Sequence, residues 1–186
     1  MIENYSKIPK NLRGLNLENI NLSNTYLAER DFQEANLINA YLPLSDLSEA
    51  NFQGANLTDA NLYRSNLKES NLEKANLTNA NLSFIIGSVI SFKKSNLTNA
   101  NLLKSNFTSP DFKKSNVTNA NLYNSNFISP KFQESNLTNA DLSYSYFTST
   151  DFQESNLTNT EFRESSLVVA NLKKTVLPNL SCKFSK

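Results

Sequence analysis

Few side chains in this sequence are suited to catalysis. Its 186 residues contain no His and one Cys, Cys182. Histidine-based acid–base catalysis and the usual zinc sites are therefore excluded, and no isolated cluster of mixed catalytic groups is present. We expect no enzymatic activity, no cofactor and no metal site.

Apolar and aromatic residues form a series with a spacing of about twenty residues. A contiguous apolar strip of this kind, with Arg64 and Lys104 beside it, is typical of protein-interaction surfaces. The alternative is that β-forming side chains simply suit an exposed sheet. We predict that the series binds a protein partner and call it the aromatic strip. It consists of Leu44, Tyr63, Phe84, Leu103, Tyr123 and Tyr144.

Four lysines form a second candidate surface, the lysine cluster. They lie in residues 73–131, which carry a net charge of +5, whereas the whole chain carries +1. The cluster either attracts an acidic partner or is a solvated ladder that keeps the protein soluble. The small total charge argues against a general nucleic-acid binder and against a strongly acidic DNA mimic. The cluster consists of Lys93, Lys94, Lys113 and Lys114.

A five-residue period must position these side chains. From Leu12 to Leu177 in steps of five, 33 of 34 positions are Leu, Phe or Val, and the exception is Gly87. We call these positions centres. A small residue stands two positions before most centres, and Asn or Asp usually stands one before. Neither a helix nor a plain strand places such centres on one side, but a chain that turns a corner every five residues does.

A second period of twenty residues groups four pentapeptides into one coil. Phe32, Phe52, Phe92 and Phe112 fall in one column, and outward Thr58, Thr78 and Thr98 fall in another. About eight coils then stack with the spacing of β-strands, and Thr and Asn ladders run along the outside.

Segments such as ANLTDANLYRSNLKESNLEKANLTNANL resemble the pentapeptide-repeat family, over about residues 10–179. The resemblance implies an all-β, right-handed quadrilateral parallel β-helix, a solenoid of about eight four-sided coils. We assign residues 12–177 to this solenoid, 1–11 to an N-terminal cap that includes Ile2, Tyr5 and Ile8, and 178–186 to a short C-terminal tail.

The repeat departs from its pattern at one place, Ile85 to Ile90. Gly87 removes a core side chain, while Ile85 and Ile90 replace the usual small residues. One interpretation is that these two side chains refill the volume that Gly87 leaves. The other is a bulge or kink that displays Phe84, Ile86 and Val89 to a partner.

These patterns favour a non-catalytic interaction or scaffold protein that presents flat faces to an unidentified protein partner. The resemblance agrees, since some family members modulate regulatory proteins by direct contact and many come from cyanobacteria. The alternatives are a gyrase- or topoisomerase-protecting DNA mimic, which the near-neutral charge disfavours, and ice or surface binding by the Thr–Asn face.

We expect a monomer or a weak end-to-end dimer. Nucleic-acid binding and membrane association are not expected, and the absence of a visible signal peptide or membrane-spanning segment favours the cytoplasm.

Overall fold

Residues 8–178 of the computed structural model are described, and they wind into a parallel β-helix with four faces. Parallel bridges join residues twenty positions apart, from Asn11 with Asp31 to Asn156 with Val176, which gives roughly eight coils. The predicted quadrilateral β-helix is confirmed. We number the faces by their centres: the first from Leu12, the second from Leu17, the third from Leu22 and the fourth from Leu27, each repeating every twenty residues.

The corners explain why Asn or Asp precedes most centres. The Asn61 Oδ1 accepts a hydrogen bond from the Tyr63 N–H at 2.9 Å, and equivalent bonds recur along the chain. This is an Asx turn, which Asn and Asp form because their short side chains reach the backbone two residues on. The residue two after each centre adopts a left-handed conformation, as at Arg64 with φ 56°. Corners are therefore made with very few glycines.

The interior contains the centres and the small residues, as the five-residue period predicts. The Phe92, Phe112 and Phe132 rings stack at centroid distances of 4.7 Å. The five-residue period predicts that every centre is buried, but this prediction is wrong at the last coil. Leu172 is 42% exposed and Leu177 is 56% exposed. These centres have no described coil beyond them to cover their outer side.

The backbone conformation of the fourth face changes in the middle of the solenoid. At Leu47 and Leu67 the corner closes with a backbone hydrogen bond from the residue three positions later, 3.1 Å in each case. After Gly87 the backbone is more extended, and Pro110 and Pro130, which have no N–H, occupy this corner. The strands form one parallel sheet in sequence order. They are β1 (Ile86–Ser88), β2 (Asn106–Thr108), β3 (Asn126–Ile128), β4 (Tyr146–Thr148) and β5 (Ser166–Val168).

The structure places the repeat break at this change. The register continues one to one, with Ile86 opposite Asn106 and Gly87 opposite Phe107, so no bulge is present. A Cβ on Gly87 would overlap the Ile90 Cδ1 atom. Ile90 therefore occupies the room of the missing centre, as the refilling interpretation requires, and Ile85 is also buried.

Ile8 packs against the first coil and is partly buried. The other two residues expected to form the N-terminal cap, Ile2 and Tyr5, lie outside the described residues.

Candidate interaction surface

The aromatic strip lies on the third face and zigzags between two columns. Tyr63, Leu103 and Tyr123 occupy the first position after a centre, whereas Leu44, Phe84 and Tyr144 occupy the second, left-handed position. Leu44 is exposed, and the others are half-buried. The strip resolves into two packed pairs. Tyr63 meets Phe84 edge to face at 5.5 Å, and the Tyr123 and Tyr144 rings are 5.2 Å apart.

A groove of about 650 Å³ opens where the third face meets the fourth. Leu44, Phe84 and Ile86 give it apolar walls, and Arg64 and Lys104 give it positive charge. The Arg64 guanidinium carbon lies 5.4 Å from the Phe84 ring centroid, and the Lys104 Nζ lies 5.9 Å from it. The two cations therefore flank one ring in a cation–π arrangement. We call these five residues the corner groove.

The fourth face from β1 to β5 carries no charged residue at its outward positions, a feature that the sequence patterns above do not predict. The outward side chains of 86–89, 106–109, 126–129, 146–149 and 166–169 are all apolar, hydroxyl or amide. In the preceding coils the same face carries Glu29, Glu49 and Lys68. The sequence does contain this feature, because the outward positions of the fourth face recur every twenty residues and none of them is charged in the coils of β1 to β5. Exposed apolar side chains here include Ile86 at 71% and Tyr146 at 63%.

Two valines on this uncharged face adopt an unfavourable backbone conformation. Val89 and Val169 both have φ 56°, although β-branched residues rarely occupy the left-handed region. They are 61% and 78% exposed, so burial in the core does not explain their presence.

The repeat-break residues divide between the core and this face. Ile85, Gly87 and Ile90 are buried, whereas Ile86 and Val89 point outward. Ile86 and Val89 are therefore exposed to solvent, beside the half-buried Phe84.

The lysine cluster is stacked on the first face, and its charges are largely compensated. Each lysine lies within 4 Å of a carboxylate, and Glu134 serves two of them. This pairing favours the solvated-ladder interpretation over a strong anion site. The ion pairs are Lys93–Asp111 at 3.2 Å, Lys94–Glu73 at 3.7 Å, Lys113–Glu134 at 3.7 Å and Lys114–Glu134 at 3.1 Å.

The Thr–Asn face is the second face, and its Thr and Asn side chains hydrogen-bond to one another. The Thr58 hydroxyl donates to the Asn56 Oδ1 at 2.7 Å and accepts from the Asn76 Nδ2 of the next coil at 2.9 Å. The pattern repeats along the face, so Thr bonds to Asn rather than to Thr. Beside it, the Asn99 Nδ2 donates to the Asn79 Oδ1 at 3.1 Å in an amide ladder. Hydroxyls engaged in this way are less available to order water or ice.

Two carboxyl groups towards the ends of the rod, away from the third face, have a lowered pKa. A hydrogen bond from Lys10 lowers the pKa of the Glu29 carboxyl, and one from Lys174 lowers the pKa of Glu154.

Residues 8–178 contain no group of three or more His, Cys, Asp or Glu side chains arranged for a metal ion. The same part of the chain has no helix long and apolar enough to cross a membrane.

Comparison with known proteins points to a single family. The sequence profile described as "Pentapeptide repeats" matches in eight copies within residues 11–83 and 90–179. No curated protein sequence matches the chain significantly.

Solved structures of the same kind align over most of the chain. A trypsin-treated variant of QnrB1, a plasmid-mediated fluoroquinolone resistance protein, aligns with a TM-score of 0.65 at 14% identity, covering 90% of this chain and 81% of that one. HetL, involved in heterocyst differentiation regulation in the cyanobacterium Nostoc sp., is 23% identical, with a TM-score of 0.34 and coverage of 93% and 91%. At 14% identity the similarity to QnrB1 shows the fold alone.

Proposed function

Because the chain belongs to the pentapeptide-repeat family, we propose that it is a non-catalytic protein that binds another protein through the aromatic strip and the uncharged fourth face. The observation that carries this proposal is the absence of charge from the outward positions of β1 to β5, directly beside the strip. The cores of protein interfaces are depleted of charged residues and enriched in aromatic residues and Arg.

The backbone of the fourth face supports the same proposal. The left-handed conformation costs a residue with a Cβ, such as valine, about 1–2 kcal/mol. At Val89 and Val169 this cost is offset by no core packing, because both side chains are largely exposed. Every corner of the coil imposes this backbone conformation, so what core packing and backbone preference leave unexplained at these two exposed positions is the choice of Val.

The alternative of gyrase protection by DNA mimicry receives less support. A DNA mimic needs rows of carboxylates, whereas the fourth face has none between β1 and β5, and residues 73–131 are basic. The likeness to QnrB1 shows the fold alone at 14% identity. A DNA-supercoiling assay in the presence of a quinolone tests this alternative directly.

The test is affinity capture from an extract of the source organism with the full chain as bait. We expect Leu103→Glu/Tyr123→Glu on the third face and Ile128→Glu/Thr148→Glu on the fourth to lose a partner that the wild type retains. Binding of the purified partner should weaken at least about tenfold, since charge at an interface core is strongly unfavourable. Circular dichroism checks that each variant folds.

The matched control is Gln33→Glu/Gln53→Glu. These glutamines occupy the equivalent corner positions in adjacent coils of the first face, and their replacement makes the same change in charge. The control should retain the partner. If both test variants hold the partner as well as the control does, the third and fourth faces are not the binding surface.

A further inference from the structure

The two cations of the corner groove differ from the four lysines of the lysine cluster. Every lysine of the lysine cluster has a carboxylate within 4 Å. Across residues 8–178, neither Arg64 nor Lys104 forms such an ion pair. Both are exposed and are instead positioned over the Phe84 ring. The corner groove therefore holds two uncompensated positive charges about two coils apart.

The walls between these cations are apolar. Leu44 is 56% exposed, and Ile86 extends into solvent at the start of β1. A purely anionic ligand would leave this apolar surface in water, and a purely apolar ligand would bury Arg64 and Lys104 without counter-charges. The complementary ligand has an apolar group between carboxylates.

We infer that the corner groove binds an acidic peptide segment of a partner protein, with an apolar side chain against Leu44 and Ile86 and carboxylates at Arg64 and Lys104. This inference rests on the proposed function, because it assumes a protein partner. It adds the chemistry of the segment that is recognised, since Arg pairs well with carboxylates and stays charged at any physiological pH.

A nucleic acid fits the groove less well. Two cations neutralise few phosphates, and Arg64 and Lys104 already flank the Phe84 ring on which a base would stack. The chain as a whole carries a net charge of only +1.

The experiment selects peptides from a displayed random library on the immobilised full chain. We expect enrichment of sequences with Asp or Glu on either side of Leu, Ile or Phe. Fluorescence anisotropy with an enriched, labelled peptide then measures affinity at low and high salt. Arg64→Glu/Lys104→Glu should weaken binding at least about tenfold and reverse its salt dependence, because both charge pairs become repulsive and added salt screens that repulsion.

Lys74→Glu/Lys131→Glu is the matched control. It makes the same change in net charge at two exposed lysines of the first face and should change affinity less than about twofold, because its charges are distant and screened. Several results overturn the inference: no enriched peptide, enrichment without acidic residues, equal weakening by the control, or preferential binding of a labelled single-stranded oligonucleotide at the groove. If one of these occurs while Leu103→Glu/Tyr123→Glu still abolishes partner capture, the inference fails and the proposed function stands.

Discussion

Gly87 and Ile90, in consecutive pentapeptides, exchange the usual sizes of their positions. A centre is normally large and the inward residue two before the next centre is small, but here the centre is Gly87 and that small position holds Ile90. The Ile90 side chain lies where a Gly87 side chain would begin. The two positions are therefore coupled, and each substitution has a cost that depends on the other.

We expect Gly87→Leu alone to lower the free energy of unfolding by about 1–3 kcal/mol or more, because it overpacks a filled core. Ile90→Ala alone should also destabilise, by about 2–5 kcal/mol, because it leaves a cavity. The double variant Gly87→Leu/Ile90→Ala restores the usual pattern and should be more stable than either single variant. Urea unfolding followed by circular dichroism measures all three. Additive losses in the double variant would show that Ile90 does not fill the place of the missing centre.

At the scale of the element, the corner between the third and fourth faces is joined by buried serines. The Ser125 hydroxyl donates to the Leu102 carbonyl of the preceding coil at 2.9 Å and accepts from the Ser105 N–H at 3.1 Å. The same column holds Ile85, which has no hydroxyl. There the N–H of Ser65 bonds instead to the Leu62 carbonyl of its own corner, at 3.0 Å.

Ser125→Ala should therefore cost about 1–2 kcal/mol of stability, because it removes a hydroxyl that satisfies two buried backbone groups of another coil. Ser115→Ala is the matched comparison. The Ser115 hydroxyl donates only to the Phe112 carbonyl, at 2.6 Å, and that carbonyl already accepts the Ser115 N–H. Its loss should cost less than about 0.5 kcal/mol. Equal Tm shifts for the two variants would contradict the inter-coil role of the serine column.

The sequence predicted the coil but not the differences between corners. Steps of five and twenty residues fix which side chains point inward, since any slip would expose a Leu or Phe centre. Residue size, however, does not distinguish Ser125 from Ser115, because their difference lies in which coil each hydroxyl reaches. The aromatic strip was predicted from its spacing. The uncharged fourth face was missed because it is defined by side chains that are absent.

At the scale of the whole molecule, each coil contacts the coils next to it, so stability is a sum of local terms along the rod. The middle is closely packed: Phe112 is fully buried between the Phe92 and Phe132 rings. The last coil is not, because Leu172 and Leu177 are exposed. The fold should therefore open from its C-terminal end while the central coils remain closed.

We expect amides of 166–176 to exchange hydrogen faster than amides of 92–132, as measured by hydrogen–deuterium exchange with mass spectrometry. Phe112→Ala should cost about 3–5 kcal/mol and speed exchange in the coils on both sides, because the cavity disrupts a continuous ring stack. Leu172→Ala should cost less than about 1 kcal/mol, with its effect confined to the last coil, since that side chain buries little surface. Uniform exchange along the rod, or an equal cost for the two substitutions, would mean that the solenoid unfolds as one unit rather than coil by coil.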